Sequence, residues 1–491
     1  MVLSDSILTQ GETPMNFLHI LTETIPKTPF PLGEMAENQP NWPYLVRQCP
    51  VATRYLELLT PLAWRHFPER GLKARGQHTY TLPHASFVAA YLIKLQEGFR
   101  STSRLRQYLS DHPALSWLLG LATGPESFIP WHRQFQTRLP GTRHFNRILR
   151  TLPNASLQHL LGNLVEQLQA ELRVIFPTFG HTISLDTKLI LAWVKENNPK
   201  TYIKERYNPQ RQPKGDPDCR LSVKRRRNIA PDTIPTPTTN PLAGSSNRSR
   251  PDYYWGYASG VVATKVPHWG EFVLAEMTQP FNCPDVSYFF PLMTTVEQRL
   301  GFRPHIGALD AAFDSFYVHE YFHQPGKQAF AAVPLTVKGG YKERFFAPDG
   351  LPLCQAKLPM PLKFTFTDRT RVIITHERGK HVCPLLYPEP TGQTCPVNHE
   401  RWPLGGCTAD IPTSIGARLR YQLDRESDSY KEAYKQRTAT ERINAQAKAL
   451  GIERPHLRNQ AAITNQNTLI YILINLRALH RVRRQKATLT Q

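Results

Sequence analysis

The chain is 491 residues long and 40% hydrophobic, enough for two or three domains with their own cores, which excludes a disordered or fibrous polypeptide. With 60 Lys and Arg against 39 Asp and Glu the formal charge is +21, so the expected partner is a polyanion, nucleic acid before membrane. Seven irregularly spaced cysteines do not form a secreted disulfide framework, no run approaches a bilayer span, and Met1–Gln10 lacks a basic-then-apolar leader; a reducing, cytoplasmic setting without membrane segment is expected.

In chain order, residues 1–175 read as an all-helical N-terminal region. Phe87, Tyr91 and Leu95 recur every fourth residue beside Val88 and Leu92, and the pattern ends near Gly98. Ser101–Ser103 offer caps for a helix carrying Leu105, Tyr108 and Leu109, and Pro113–Leu119 begins another. Arg104, Arg106, Arg133, Arg138 and Arg143 would then be either contacts to DNA or an ordinary solvated face.

The texture changes after Phe179-Gly180. The run from His181 to Asp186 alternates like a strand and ends on a carboxylate. The stretch 200–228 has ten Lys or Arg against three acids, including Lys224, Arg225, Arg226 and Arg227, and then gives way to Pro, Thr, Ser and Asn with too few apolar residues to pack. Residues 196–252 therefore read as a flexible basic linker able to follow a phosphate backbone, with an unliganded solvated loop as the alternative.

A hairpin follows, Tyr257–Val266 and Glu271–Met277, turned by Pro267–Gly270. Then come a helix around Ser287–Leu300, a strand His305–Asp310, a helix Asp314–His323 stopped by Pro325-Gly326, and a buried strand Gln328–Leu335. This order predicts an α/β sheet with helices on its faces, whose sites lie at strand ends. Residues 338–428 break the rhythm as a β-rich insertion holding Cys354, Cys383, Cys395 and Cys407. Helices return at Tyr430–Leu450 and Asn467–Leu479, the latter read as a core helix against the sheet.

The helix after residue 430 carries the most informative pattern: Tyr434, Arg437, Glu441 and Lys448. On one continuous helix, offsets of 3, 7 and 14 bring all four within an arc of roughly 60°. A face with a phenol, two cations and a carboxylate suits a phosphodiester and a divalent ion better than a core, with an incidental solvated ion pair as the bland reading. The strand-end carboxylates Asp186 and Asp310 are the available partners, and three acids suffice for two-metal phosphoryl transfer. Asp314 competes with Asp310, but as a residue at a helix start it reads as a cap.

Here the sequence resembles the DDE transposases of bacterial insertion sequences, in the branch with this Tyr-Arg-Glu-Lys signature. The signature spacing matches fully, Leu309-Asp-Ala-Ala-Phe-Asp-Ser315 is similar to the segment around the family's second aspartate, and Gln96–Leu105 with Leu118–Leu121 resemble its helical N-terminal region. The resemblance spans most of 85–485. It implies a ribonuclease H-like catalytic domain over 176–480, interrupted by the linker 196–252 and the insertion 338–428. It further implies that Asp186, Asp310 and Glu441 bind two Mg²⁺ (or Mn²⁺) ions, cut double-stranded DNA at transposon terminal inverted repeats and join the freed 3′-hydroxyl to target DNA. Arg437 and Lys448 would grip phosphates, Tyr434 would position the cleaved strand, and a homodimer would pair the two ends. Relatives that form hairpin ends stack a displaced base on a Trp of the insertion, and Trp402 is the Trp in that stretch.

Three rival readings accompany it. His319-Glu-Tyr-Phe-His323 fits the His-Glu-x-x-His pattern of zinc proteases with Glu320 as base, but Pro325 cuts the helix and only Glu343 offers itself as a third ligand. Cys383, Cys395, His399 and Cys407, with Cys354 as substitute, could hold a structural Zn²⁺; no Cys-x2-Cys pair is present, and unpaired buried thiols are the bland alternative. A transposase-derived DNA-binding protein that no longer cuts is the third.

Overall fold

The computed structural model describes residues 30–33, 42–69, 82–121, 139–224, 252–336, 344–369, 373–397 and 399–489. They form two compact units: the described residues up to Leu164 with 215–217 and those from Leu450 onward, and a second unit of 165–214 and 218–449. Of the residues singled out in the sequence, Arg133, Arg138, Arg225, Arg226, Arg227 and Glu343 lie outside the described residues.

Regular structure in the first unit is helical: α1 (Tyr44–Arg47), α2 (Pro50–Leu59), α3 (His84–Gln96), α4 (Thr102–Asp111), α5 (Pro113–Leu118), α6 (Thr142–Thr151) and the start of α7 (Asn154–Arg173). Ser101 caps α4, its hydroxyl accepting from Arg104 N–H at 3.2 Å. Helix α3 is buried on all sides from His84 to Leu95, so it is a core element rather than a surface helix.

The C-terminal helix Gln460–Leu489 also belongs to this unit, and it packs on α2, α3 and α6 rather than against the sheet as expected. Its buried amide decides the matter. Asn465 Nδ2 donates to Leu149 O and Leu152 O, carbonyls left open at the end of α6, while Asn154 Nδ2 donates to Asn465 Oδ1 and Thr468 Oγ1.

The second unit is mixed α/β. Strands β1 (Thr182–Leu191), β2 (Arg220–Lys224), β3 (Asp252–Val266), β4 (Gly270–Pro280), β5 (Ile306–Leu309) and β6 (Phe330–Ala332) make one mixed sheet. Strand β1 is central: antiparallel to β3, which continues into the β4 hairpin, and parallel to β5, which is parallel to β6. Because side chains alternate, Asp186 and its partner Val261 share one face, and Thr187 and its partner Gly260 the other. Helix α8 (Phe289–Leu300) and the turn before it cover the second face, where a Cβ on Gly260 would lie 2.4 Å from the Tyr288 ring. Helix α9 (Phe316–Phe322) lies on that face too, a Cβ on Gly307 falling 2.3 Å from the Phe322 ring, and α10 (Ile415–Gln422) packs on α9. Helix α11 (Asp428–Lys435) packs on β5 and β6, and α12 (Thr438–Ala449) packs on β1, β3 and β4 from the Asp186 face, where Asn444 meets Asp186.

Three expectations are corrected here. Asp186 does not end its strand: β1 continues to Leu191 because Thr187–Leu191 pair with β3 from Gly260 back to Gly256. Part of the supposed flexible linker is built into the fold, since Asn197 bridges Ala192 O and Trp255 O, the buried Trp255 indole N–H donates to Arg206 O, and β2 pairs with β3. The signature helix is two helices, α11 and α12, parted at Gln436-Arg437.

The insertion holds a second, three-stranded antiparallel sheet: β7 (Leu362–Asp368), β8 (His376–Val382) and β9 (Thr408–Pro412). It ends in α10, which packs closely on α9: a Cβ on Gly416 would fall 2.0 Å from Phe316 O.

Candidate functional site

Parallel pairing sets Leu185 beside Leu309, so the next residues, Asp186 and Asp310, stand side by side where β5 stops. Asp310 turns the chain into a 3₁₀ segment, its Oδ1 accepting from Ala312 N–H at 2.7 Å. Asp186 lies deeper. Its Oδ1 accepts from Thr187 N–H at 2.9 Å and its Oδ2 from Asn444 Nδ2 at 3.0 Å, across 258 residues of chain. Burial pushes the Asp186 carboxyl up to about 6; the Thr187 N–H opposes this, the charges of Asp310 and Asp285 add to it, and Arg437 offsets part.

Asp285, just after β4, is a third acid in this charge cluster. It accepts from Thr187 Oγ1 at 2.8 Å, and burial raises its carboxyl, with Asp310 adding repulsion. Neither Asp285 nor Asn444 stands out in the sequence. Asp285 looks like an acid at a helix start, and the trace of Asn444 is its position three residues after Glu441, on the same helix face. Asn444 is buried, and its Oδ1 has no hydrogen-bond partner beside the acids.

The signature residues remain neighbours across the helix break. Arg437 bonds Glu441 at 2.5 Å, its guanidinium lies 5.8 Å from the Tyr434 ring centroid, and Tyr434 stacks on Tyr430. Burial raises the Tyr434 phenol, with the Arg437 charge opposing and Asp310 and Glu441 adding. Glu441 sits in the first turn of α12, where an acid is favoured, but its carboxylate is engaged with Arg437 rather than with Asp186 and Asp310. Lys448 is exposed farther along α12, and Lys224 is the last residue of β2. Among the described residues no three His, Cys, Asp or Glu are already arranged as a metal cage.

Asp314 has a different duty from the helix cap expected of it: α9 has no side-chain cap, and Asp314 is a buried anchor. Arg420 of α10 grips both its oxygens, at 2.7 and 2.6 Å, and Thr336 N–H donates to it at 2.7 Å. Burial would raise this carboxyl, yet the bonds from His319, Arg420 and Thr336 hold it well below the carboxylate range. The His-Glu-x-x-His segment adjoins this anchor. His319 is buried 3.5 Å from Asp314, Glu320 accepts from Ser414 Oγ at 2.7 Å, and His323 lies past the end of α9. Trp402 packs against the cysteines of the insertion, partly buried.

Among the described residues no helix is long and apolar enough to cross a membrane. No known family model matches the chain, and no curated protein is significantly similar to it.

Proposed function

We propose that the protein is a DDE-type DNA transposase that cuts double-stranded DNA at transposon ends and transfers the freed strand to target DNA. The observation that carries the reading is the parallel register Leu185–Leu309, which sets Asp186 of β1 beside Asp310, the residue after β5, with α12 laid across the Asp186 face. A central strand with an antiparallel hairpin on one side and parallel strands on the other is the order expected of a ribonuclease H-like domain.

The donors suit Mg²⁺ or Mn²⁺: they are all oxygens, Asp186 is desolvated beside two further acids, and the buried Asn444 Oδ1 lacks a partner. Asp186 and Asp310 would hold the ions, with Glu441 joining them; bound there, the ions supply an activated hydroxyl and stabilise the leaving oxygen. Arg437 links binding to that assembly, because a DNA phosphate that takes its guanidinium competes with Glu441 and releases the carboxylate. Tyr434 offers a ring and phenol to the strand beside it, and Lys448 and the Lys224–Arg227 run supply backbone neutralisation. A homodimer follows from the need to hold two ends, and the setting is the cytoplasm, where such DNA is found.

One observation favours a second reading, a transposase-derived DNA-binding protein that does not cut: Glu441 is held by Arg437 instead of by its fellow acids. Cleavage of DNA bearing the element's own ends, with Mg²⁺ or Mn²⁺, separates the two. The enzyme predicts cleavage by wild type that is lost in Asp186→Asn and Glu441→Gln with DNA binding retained. Equal cleavage by all three refutes the site, and binding without cleavage by wild type selects the second reading.

A further inference from the structure

The spacing of the insertion's cysteines is unlike that of a zinc motif, yet the fold gathers them. Cys383 and Cys395 are buried in one small cluster with Leu385, and Cys407, Trp402, Leu386, Ala356 and Leu358 pack against it. Cys407 lies within electrostatic reach of both Cys383 and Cys354. The chain before Cys407 is pressed onto Cys383, since a Cβ on Gly406 would fall 2.7 Å from Cys383 Cβ.

All four cysteines are free and lie in irregular segments between strands. Two of them open tight turns, Lys357 N–H donating to Cys354 O and Leu386 N–H to Cys383 O, and the backbone at Lys357, Gly405 and Gly406 is left-handed. Compact turns that offer one sulfur each are how a chain surrounds a small ion.

The surrounding module needs such a staple. Strand β7 is exposed along nearly its whole length on both faces, and the buried apolar residues described in the insertion up to β9 are few: Cys383, Leu385 and Cys395 in this cluster, with Ala347, Met360 and Ile411 elsewhere. So small an apolar core does not hold a β module by itself. His399 adds an independent sign. Its Nδ1 accepts from Arg401 N–H at 3.2 Å, so in the neutral ring the proton sits on Nε2, and that nitrogen is buried without an acceptor. A buried N–H donor of this kind suits a thiolate, the outer-shell partner of a metal–sulfur site.

We propose that Cys354, Cys383, Cys395 and Cys407 bind one Zn²⁺ ion that staples the β-rich insertion. The sulfurs do not stand at metal–ligand spacing in the described geometry, and closing them requires adjustment of the turns, not of the strands. Binding displaces the thiol protons to solvent and leaves a four-thiolate tetrahedral ion. The site does not depend on the transposase reading.

The test is metal content of the full chain, purified without chelator from zinc-supplemented cells. Wild type, Cys49→Ser and Cys283→Ser should each carry about one zinc per chain, whereas Cys383→Ser and Cys407→Ser should lose at least nine-tenths of it. In case the serine variants fail to fold, cobalt exchange into wild type should give the thiolate-to-metal absorption of a tetrahedral four-sulfur site. Zinc-free wild type, zinc retained by Cys383→Ser, a cobalt spectrum without thiolate bands, or a native Cys383–Cys407 disulfide would each overturn the proposal.

Discussion

The second unit contains two clusters of like groups, and the chain holds them in opposite ways. The carboxylates of Asp186 and Asp310 are fixed by strand register, and Asp285 is tied to β1 through Thr187, so they are crowded whether or not a cation is present. The thiols of Cys354, Cys383, Cys395 and Cys407 come from turns, which can move. Crowded carboxylates are costly because burial and mutual repulsion both disfavour their charged forms, while neutral thiols pack as small apolar groups. A preorganised site stores its tension in the sheet; an adaptable one acquires its shape with its ligand.

The largest effect should come from the preorganised cluster. Asp186→Ala should lower end cleavage by on the order of a thousandfold or more while leaving DNA retention in a gel-shift assay intact. A comparable loss of binding would mean that the acid cluster shapes the DNA surface rather than the chemistry.

Breaking the buried anchor between α9 and α10 should be the largest change in stability. Asp314→Ala strands Arg420 and should cost roughly 3–5 kcal/mol in denaturant unfolding, against less than about 1 kcal/mol for the exposed pair Lys435–Glu432. Equal costs would show that the buried contact is not an anchor.

Acidity sharpens the contrast between the clusters. The Asp186 carboxyl lies near 6 in the folded chain against an ordinary 3.8, so the folded state holds its proton more tightly than the unfolded one. The stability it contributes is complete below the ordinary value and is lost as pH rises through about 6, a decline on the order of 2–3 kcal/mol. Without divalent ions, wild type should therefore lose stability relative to Asp186→Asn between pH 5 and pH 7.5 in thermal melts, and Mg²⁺ should restore part of it to wild type alone. Parallel profiles for the two proteins would remove the claim of tension.

The smallest effect concerns Asn444. Asn444→Ala should weaken Mn²⁺ binding, read by electron paramagnetic resonance without DNA, by about 10-fold, a second-layer magnitude. Unchanged affinity would leave Asn444 as packing between α12 and β1.

Local pattern made several elements legible, for local reasons. The β3–β4 hairpin announces itself by strand-like runs flanking a turn, the Ser101 cap by its hydroxyl, and the strand leading to Asp310 by its apolar run. The break at Gln436-Arg437 was invisible because the residues there are compatible with helix, and only the packing of α11 on β5 and β6 and of α12 on β1, β3 and β4 separates the two axes. The basic tail around Arg481, Arg483 and Arg484 reads as continuous charge with Arg437, yet those arginines belong to the helical unit and Arg437 to the sheet unit.

The sequence by itself determined the net positive charge, the helical and mixed α/β halves, and the residue types Tyr434, Arg437, Glu441 and Lys448 at their spacing. These follow from composition and from periodicities spanning a few residues. Tertiary structure decided the rest: that Asp186 and Asp310 adjoin while Glu441 answers to Arg437, that Asp285 and Asn444 join the acids, that Asp314 is an anchor, and that the insertion's cysteines converge. Each depends on side chains that are distant in sequence meeting across a sheet register, a helix packing or a turn, and no local pattern encodes those distances.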